Sequence, residues 1–366
     1  MAIIRMSVSR PRPPRRTPLA HRTVAFMLSL CVQLPSTPLR ACPFCSAVST
    51  TLRQEMEVMD AVVIATVVEG SGPLDEETGE VTMKIEKVLK GGDLVEEGQQ
   101  VRASYFGEVT DGRRFLLQGV DPPQLQWATP LPVSERAEAY VTKVAELGDD
   151  MDARLLFFYD YLQDEDSMLD RDTYDEFASA PYDAIKNLAP RMDHDQLIEW
   201  ITDPEMSAPR KRLFFTMLGV CGDEKDLPVL EKLLRSTQKS SRAGLDALIA
   251  CYLTLAGEQG LPLINELYLA NKKAPYADTY AAIMAIRFHG TEGDKIPRSA
   301  LVESLHHVLD RTDLADLVIP DLARWSDWSQ IDRLTKLFIE ADADNNWVRV
   351  PVVNYLRACP LPEAKE

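Results

Sequence analysis

Two cysteines separated by two residues, in the segment Cys42-Pro43-Phe44-Cys45, have the spacing with the most direct chemical meaning in this sequence. Thiols at this spacing can close a small disulfide or exchange one with another protein. The pattern of residues 46–59 predicts a helix, whose N-terminal dipole would stabilise a thiolate. A structural disulfide and a catalytic redox pair are therefore both considered, and in an oxidising compartment the pair is expected to be oxidised.

Two adjacent histidines, His306 and His307, are the next candidates for site chemistry. Glu303 lies one helical turn before His307, so the two side chains share a face and could ligate a metal ion. Neighbouring residues on a helix point about 100° apart, however, and two ligands are too few for a protein metal site. The histidines are interpreted as a solvated or partly packed pair.

Asp342, Asp344 and Asn346 occupy positions like the first three ligands of a calcium-binding loop. Such a loop needs a glycine at its sharp turn and a bidentate glutamate at its end. Trp347 and Val353 stand at those two positions. The segment is therefore interpreted as a polar turn between helices, and no metal centre is expected.

Trp325 and Trp328 flank the dipeptide Ser326-Asp327. Two tryptophans at this spacing could present an aromatic surface to a binding partner, because Trp is enriched where proteins contact each other. In an array of short helices they can equally fill a gap between neighbouring units. Both interpretations are carried forward.

The sequence contains none of the common catalytic motifs. It lacks a Gly-rich phosphate loop, a G-x-S-x-G elbow and the H-E-x-x-H signature. Between residues 42 and 280 the only histidine is His194, so acid–base catalysis would depend on carboxylates that no spacing singles out. We expect a protein without enzymatic activity and without a cofactor.

The first 41 residues have the composition of a secretory signal peptide. Seven arginines and no acidic residue accompany a short apolar run at 24–34, and a small residue, Ala41, precedes the predicted cleavage point. Arg15-Arg16 raises the twin-arginine route as an alternative, and Cys42 raises lipoprotein anchoring. We therefore expect export to the periplasm, the cell surface or the medium, with no membrane-spanning segment after cleavage.

The protein is strongly acidic, with a formal charge of −17 that becomes more negative once the arginines of the leader are removed. This charge repels phosphate backbones and anionic membrane surfaces, so nucleic acid and lipid are disfavoured as partners. A protein or peptide partner remains, and positively charged partners are compatible with the charge. Divalent cations are a weaker alternative.

Residues 60–133 have the alternation of short β-strands. The run 61–68 is continuously β-branched or small, which predicts a strand covered on both faces. Val81, Met83 and Ile85 alternate with polar residues, so one set is expected to face inward. Two further strands are predicted at 101–106 and 113–120, with a hairpin turn at 111–112. Together they indicate a small antiparallel barrel or sandwich.

From residue 134 onward the pattern is that of amphipathic helices. The dipeptides Leu227-Pro228, Leu261-Pro262 and Ile296-Pro297 recur at similar intervals, each before an apolar helix. Proline is accepted in the first turn of a helix because no intrahelical donor is lost there. A helix pair about every 35–45 residues is typical of an α-solenoid, whose units stack to bury their apolar faces.

The helical part, over about residues 154–358, resembles the HEAT-type repeat proteins. The resemblance lies in the turn Leu218–Asp223 leading into the helix Leu227–Leu234, and in a last helix from Trp347 to Leu356. It implies a stack of helix pairs that presents an extended binding surface. It does not imply a particular ligand.

Residues 42–128 resemble the netrin-like OB barrel of tissue inhibitors of metalloproteinases. The resemblance lies in Cys42, in Asp60–Ala65, in Val81–Val88 followed by Leu89-Lys90-Gly91, and in Gly112–Gly119. That family opens on Cys-x-Cys, where this chain has Cys-x-x-Cys. The resemblance implies a barrel, and it implies that the Cys42 amino and carbonyl groups would chelate a protease's zinc.

Together these observations predict an α+β protein of several parts. A signal peptide (1–41) precedes a Cys-x-x-Cys segment with a helix (42–59), an OB-like β-module (60–133) and a HEAT-like α-solenoid (134–366). The expected function is an exported, non-enzymatic scaffold that binds a protein or peptide. The alternatives are thiol–disulfide chemistry through Cys42 and Cys45, or metalloprotease inhibition through Cys42.

Overall fold

The computed structural model describes residues 42–45, 49–68, 78–110, 112–342 and 346–365. The predicted signal peptide, most of the predicted loop at 70–79, and the residues Asp111 and Asp344 lie outside these ranges. All described residues belong to one compact unit, Leu39–Glu366.

The β-rich part is a single antiparallel sheet that curls into a nearly closed barrel. The strands occur in the order β3-β2-β1-β4-β5, and β6 also pairs with β4. Their bounds are β1 (Ala61–Val67), β2 (Glu80–Lys90), β3 (Gln100–Ser104), β4 (Arg114–Val120), β5 (Gln126–Trp127) and β6 (Leu131–Pro132).

Strand β1 lies at the centre of the sheet, between β2 and β4, and is covered on both faces as the sequence predicts. Ala61, Val63 and Ala65 point into the barrel and belong to its core. Val62 and Ile64 point the other way and belong to the core of the helical part. The two cores therefore share one strand.

The predicted alternation in β2 is confirmed, because Val81, Met83 and Ile85 are fully buried in the barrel. The strand ends where Gly91 adopts a left-handed backbone conformation, with φ of 81°. A Cβ atom there would lie 2.5 Å from the Asp60 carbonyl oxygen, so the turn can pass close to β1 only with glycine.

Fourteen α-helices follow the barrel and one precedes it within the described residues. Their bounds are α1 (Leu52–Val58), α2 (Glu135–Glu146), α3 (Met151–Tyr159), α4 (Ser167–Ser179), α5 (Tyr182–Asn187), α6 (His194–Thr202), α7 (Ala208–Cys221), α8 (Leu227–Leu234), α9 (Leu245–Ala256), α10 (Leu261–Ile264), α11 (Tyr276–Thr291), α12 (Arg298–His306), α13 (Ile319–Arg324), α14 (Ile331–Glu340) and α15 (Asn346–Ala358). The α+β class predicted from the sequence is confirmed.

Helix α1 begins later than the sequence pattern predicts. Thr51 is its N-cap, and a capping box with Gln54 fixes the start at Leu52. The predicted helix over 46–59 is therefore wrong at its start. Because the helix begins well after Cys45, its dipole is not placed to stabilise a Cys45 thiolate.

Proline marks the start of three helices, as predicted. It occupies the first turn of α8 and of α10, and Pro297 is the N-cap of α12. Helices α7, α9 and α11 pack side by side in the middle of the helical part. The stretch Leu245–Leu269 is long and apolar enough by composition to cross a membrane, but 61% of its most apolar window is buried inside the protein.

Three Arg–Asp pairs connect parts of the helical region at similar separations in sequence. Arg212 donates to Asp246, Arg242 to Asp278 and Arg287 to Asp321, which are separated by 34, 36 and 34 residues. The acidic partners lie in the first turns of three helices: Asp246 in α9, Asp278 in α11 and Asp321 in α13. The acidic partners therefore lie at helix N-termini, where the helix dipole favours negative charge.

A buried carboxylate ties the segment before the barrel to the helices after it. Asp172 of α4 accepts hydrogen bonds from the Leu52 backbone N–H (2.7 Å) and from the Tyr140 hydroxyl (2.6 Å). Burial raises the pKa of Asp172 to about 6, so the group is ionised at neutral pH and accepts both bonds. Beside it, Arg154 and Glu176 form a buried ion pair at 3.0 Å.

We predict that Asp172→Ala lowers the free energy of unfolding by about 3 kcal/mol, because two buried donors lose their acceptor together. Asp183→Ala is the matched control, since that side chain is 86% exposed, and its effect should stay within about 0.5 kcal/mol. Urea unfolding at neutral pH measures both. Equal stabilities of the two variants would contradict the role given to Asp172.

Candidate functional site

Cys42 and Cys45 form a disulfide, with their Cα atoms 5.4 Å apart. Cys42 is buried, and its backbone N–H donates to the Ala178 carbonyl at the end of α4 (3.2 Å). Cys45 is half-buried. One sulfur atom cannot hold both a disulfide and a lipid, so the two predicted states of Cys42 are alternatives, and the structure has the disulfide.

Phe44, between the two cysteines, docks the disulfide loop onto a helix far along the chain. Its ring lies 5.0 Å from that of Phe288 on α11, measured between centroids. Tyr182 of α5 contacts the same phenylalanine edge-on, at 5.4 Å. Phe44 and Phe288 are buried and Tyr182 is half-buried, so the three rings form one cluster at the protein surface.

A groove runs along this aromatic cluster, and we define it by its two compartments. The smaller, of about 220 Å³, is lined on one side by the disulfide loop through Pro43 and Phe44. The larger, of about 360 Å³, extends across α7, α9 and α11. Both compartments are lined by Tyr182, Phe288 and Glu292.

The larger compartment lies at the C-terminal ends of three neighbouring helices. It is lined by Gly219 and Val220 near the end of α7, by Thr254 near the end of α9, and by Phe288 near the end of α11. Each helix C-terminus carries about half a negative elementary charge. Glu292 and Asp294 add formal negative charge to the lining. Lys186 and Lys295 line the same compartment and balance these two charges, so the helix-end carbonyls are the groups that favour a cation.

Two lysines of the protein itself show how this groove holds a cation. The ammonium group of Lys295 donates to the Thr254 carbonyl, an end carbonyl of α9, at 3.1 Å. Lys186 lies over the Tyr182 ring, 5.2 Å from its centroid. These two contacts show both ways in which the groove can hold a cation: by helix-end carbonyls and by an aromatic face.

His289 is the one buried histidine among the residues of the groove. Its Nε2 lies 3.0 Å from the Ala250 carbonyl oxygen, which can only accept, so Nε2 carries the proton. Burial lowers the pKa of His289 to about 4. At neutral pH the ring is uncharged, and Nδ1, which lies beside Gly293, is an acceptor.

Two hydroxyl groups around the groove are held by their own helices. The hydroxyls of Thr254 and Thr291 donate to carbonyls of their own helices, so neither is aimed at a base. Burial raises the pKa of Tyr182 to about 12, which keeps its hydroxyl protonated at neutral pH. Apolar aromatic walls, helix-end carbonyls and a neutral acceptor suit a ligand that combines an apolar group with a cation.

The predicted candidates near the C-terminal helices lie elsewhere, around a more open depression of about 650 Å³. His306 Nε2 lies 2.6 Å from Asp327 Oδ2, and the Ser329 hydroxyl donates to the other carboxylate oxygen at 2.7 Å. The serine therefore contacts the acid instead of the histidine, which is not the arrangement of a nucleophile with its base.

The two predicted tryptophans are packed against the protein. Trp325 lies so close to Gly290 on α11 that a Cβ atom there would be 2.2 Å from the indole ring. Trp328 contacts the buried Tyr355, with ring centroids 5.1 Å apart. Both are half-buried, and Trp325 also lines the depression near His306. The structure therefore packs Trp325 against α11 and Trp328 against α15.

The candidate metal ligands do not converge. Within the described ranges no group of three or more His, Cys, Asp or Glu side chains could hold a metal ion. His307 begins a short 3₁₀ turn after α12, Asp342 is exposed, and Asp344 lies outside the described residues.

The sequence pattern does not identify the groove. Its residues come from α5, α7, α9, α11 and the disulfide loop, and no local spacing connects them. The one available signal is Phe44, a large apolar residue in a motif that otherwise indicates redox chemistry. An apolar loop residue such as Phe44 is expected to pack against another part of the protein, but the sequence does not identify Phe288 as its partner.

We predict that His289 makes stability fall in acid. The unfolded imidazole takes up a proton below its ordinary pKa of about 6.5, whereas the folded one does so only near 4, so stability is lost as pH falls between these values. The loss from about pH 7 to pH 4 should be about 3 kcal/mol smaller in His289→Gln than in the wild type. Urea unfolding of both proteins at both pH values measures this difference. Asp172 also titrates in this range, but it is present in both proteins, so its contribution cancels in the comparison. Equal losses would contradict it.

Comparisons with known proteins add no further constraint to this geometry. No protein-family model, no curated protein and no solved structure matches the chain.

Proposed function

We propose that this protein is an exported, non-enzymatic binding protein, and that its groove holds a segment of a protein or peptide with a positively charged side chain beside an apolar one. The observation that carries the proposal is the position of the groove. It lies at three helix C-termini, against the half-buried ring of Tyr182 and the buried ring of Phe288. An aromatic wall beside helix-end carbonyl oxygens can hold a cation and an apolar group together.

The charge of the whole protein supports the same class of partner. A chain with a formal charge of −17 attracts cations over long range, which speeds their association at low ionic strength. The helix-end carbonyls of the groove and the net charge of the whole protein therefore favour the same class of partner. The disulfide supports export, because such bonds persist in oxidising compartments.

The proposal includes a HEAT-like stack of helix pairs as the scaffold. Its support is the series of Arg–Asp pairs at 34, 36 and 34 residues, together with the side-by-side packing of α7, α9 and α11. An OB-like, netrin-like identity for the barrel is the companion proposal, supported by the nearly closed antiparallel sheet. In this scheme the barrel orients the disulfide loop at one end of the groove.

The disulfide has a structural role in this proposal. Metalloprotease inhibition would require the Cys42 backbone to face a partner, whereas its N–H donates to Ala178 and the residue is buried. Thiol exchange would require a sulfur atom that a second thiol can reach. Cys42 is buried and Cys45 is half-buried, so access to the disulfide is restricted. The docking of Phe44 instead makes the loop a wall of the groove.

We expect a random heptapeptide library, displayed on phage and selected against the protein, to enrich Lys or Arg next to an aromatic or large aliphatic residue. A synthetic peptide of the enriched sequence should bind Val220→Trp at least about tenfold more weakly, because the larger side chain fills the groove. Calorimetry at low ionic strength measures both affinities.

The matched control is Val58→Trp, at the exposed end of α1, which should leave the affinity unchanged. Thermal unfolding of both variants verifies that the fold is retained. Absence of enrichment, or equal affinity of the peptide for Val220→Trp and wild type, would overturn the assignment of the groove.

A further inference from the structure

The smaller compartment of the groove is bounded by three aromatic rings that lie at large angles to one another. Phe44, Tyr182 and Phe288 all line its volume of about 220 Å³. The plane of the Phe288 ring makes an angle of 79° with that of Tyr182 and 57° with that of Phe44. Rings at such angles bound a space from different directions, so the compartment resembles a box with aromatic walls.

The charged residues of this lining are Arg287 and Glu292, whose formal charges are opposite. The Arg287 guanidinium donates to the buried Asp321 carboxylate at 2.8 Å and to the Leu317 carbonyl at 2.7 Å, which hold it in place. The two lysines of the larger compartment are not among the described residues that line the smaller one. Net charge in the lining therefore does not select the ligand, and the choice depends on the rings and on hydrogen bonding.

The aromatic rings are the part of this lining that attracts a cation, because a ring carries negative charge on its faces. The protein itself already uses one of these rings in this way, since Lys186 Nζ lies 5.2 Å from the centroid of Tyr182. The formal charge of −17 on the whole protein adds an attraction over longer range. A cation with an apolar surface therefore suits the compartment better than an anion does.

Hydrogen bonding in the compartment decides which kind of cation fits. The Thr291 hydroxyl donates to the Arg287 carbonyl of its own helix at 2.9 Å, and Glu292 is the single carboxylate among the described lining residues. A lysine ammonium brings three donors and an arginine guanidinium five, and donors that lose water without gaining a partner are costly. A quaternary ammonium group has no donor, because alkyl groups surround its positive nitrogen. It therefore enters an aromatic box at a lower desolvation cost.

We propose that the smaller compartment binds a quaternary ammonium group between Phe44, Tyr182 and Phe288. This inference rests on the function proposed for the groove, and it specifies the kind of cation that one compartment takes. Aromatic rings placed around a quaternary ammonium group are a known way of recognising it. The trimethyllysine side chain of a peptide and a small molecule such as choline present the same trimethylammonium head, and the experiment separates these two sources.

Proton NMR of tetramethylammonium, titrated with the protein, tests the proposal. The methyl signal should move upfield, because aromatic ring faces shield nearby protons, and the dissociation constant should be about 1 mM. Methylammonium, which keeps three donors, should bind at least about tenfold more weakly. Choline should bind at least about fivefold more tightly than 3,3-dimethylbutanol, its neutral isostere. Equal binding within either pair, or no shift of the tetramethylammonium signal, would overturn the proposal.

Variants of Tyr182 test whether the rings hold the ligand. Tyr182→Leu should weaken tetramethylammonium binding at least about fivefold, whereas Tyr182→Phe, which keeps the ring, should stay within about twofold of wild type. The matched control is Tyr276→Leu, since Tyr276 lies at the start of the same helix as Phe288, is 57% exposed and does not line the groove. Thermal unfolding verifies that each variant is folded. An unchanged affinity in Tyr182→Leu contradicts the assignment, and the isostere comparison on wild type does not depend on this variant.

Two further ligands separate the sources of the group and the two proposals. Tighter binding of N-acetyl-trimethyllysine amide than of choline assigns the compartment to a modified peptide, and the reverse order assigns it to a small molecule. Peptides that are enriched by phage selection and bind the groove, together with an unshifted tetramethylammonium signal, would overturn this inference and leave the proposed function standing. A shifted signal without peptide enrichment would support this inference and overturn the peptide assignment.

Discussion

Strand β1 is buried on both faces, and the relation between barrel and helices depends on this constraint. One set of its side chains fills the barrel, and the other set joins the helical core. A polar side chain at any of these fully buried positions would lose its contact with water and gain no partner, which is costly. Since Val62 and Ile64 belong to the helical core, the barrel cannot move away from the helices without exposing them. This explains why the described chain forms one compact unit.

Patterns that depend on neighbours in sequence are predictable in this chain. The strands β1 and β2 follow from apolar runs and alternation, and the starts of α8, α10 and α12 follow from proline. The start of α1 differs from its prediction because a capping box at Thr51 decides it, and apolar content extends further back than the cap. Local chemistry therefore sets element boundaries more sharply than periodicity does.

Contacts between distant segments are not predictable from spacing. The groove combines five segments whose only shared property is that the folded chain brings them together. Its cation-favouring carbonyls lie at the ends of α7, α9 and α11, and they leave no mark in the residue composition. The sequence identifies Trp325 as a residue that either binds or fills space, but its fit against Gly290 depends on the angle between two helices.

The docking of Phe44 on Phe288 has a consequence for the order of events during synthesis. The two rings are separated by most of the chain, so their contact cannot form until α11 has been made. Contacts of such long separation close late, because chain entropy opposes them until intervening parts are in place. The disulfide loop, which the ribosome makes early, therefore remains open to proteases and oxidants until the helices that finally shelter it have followed.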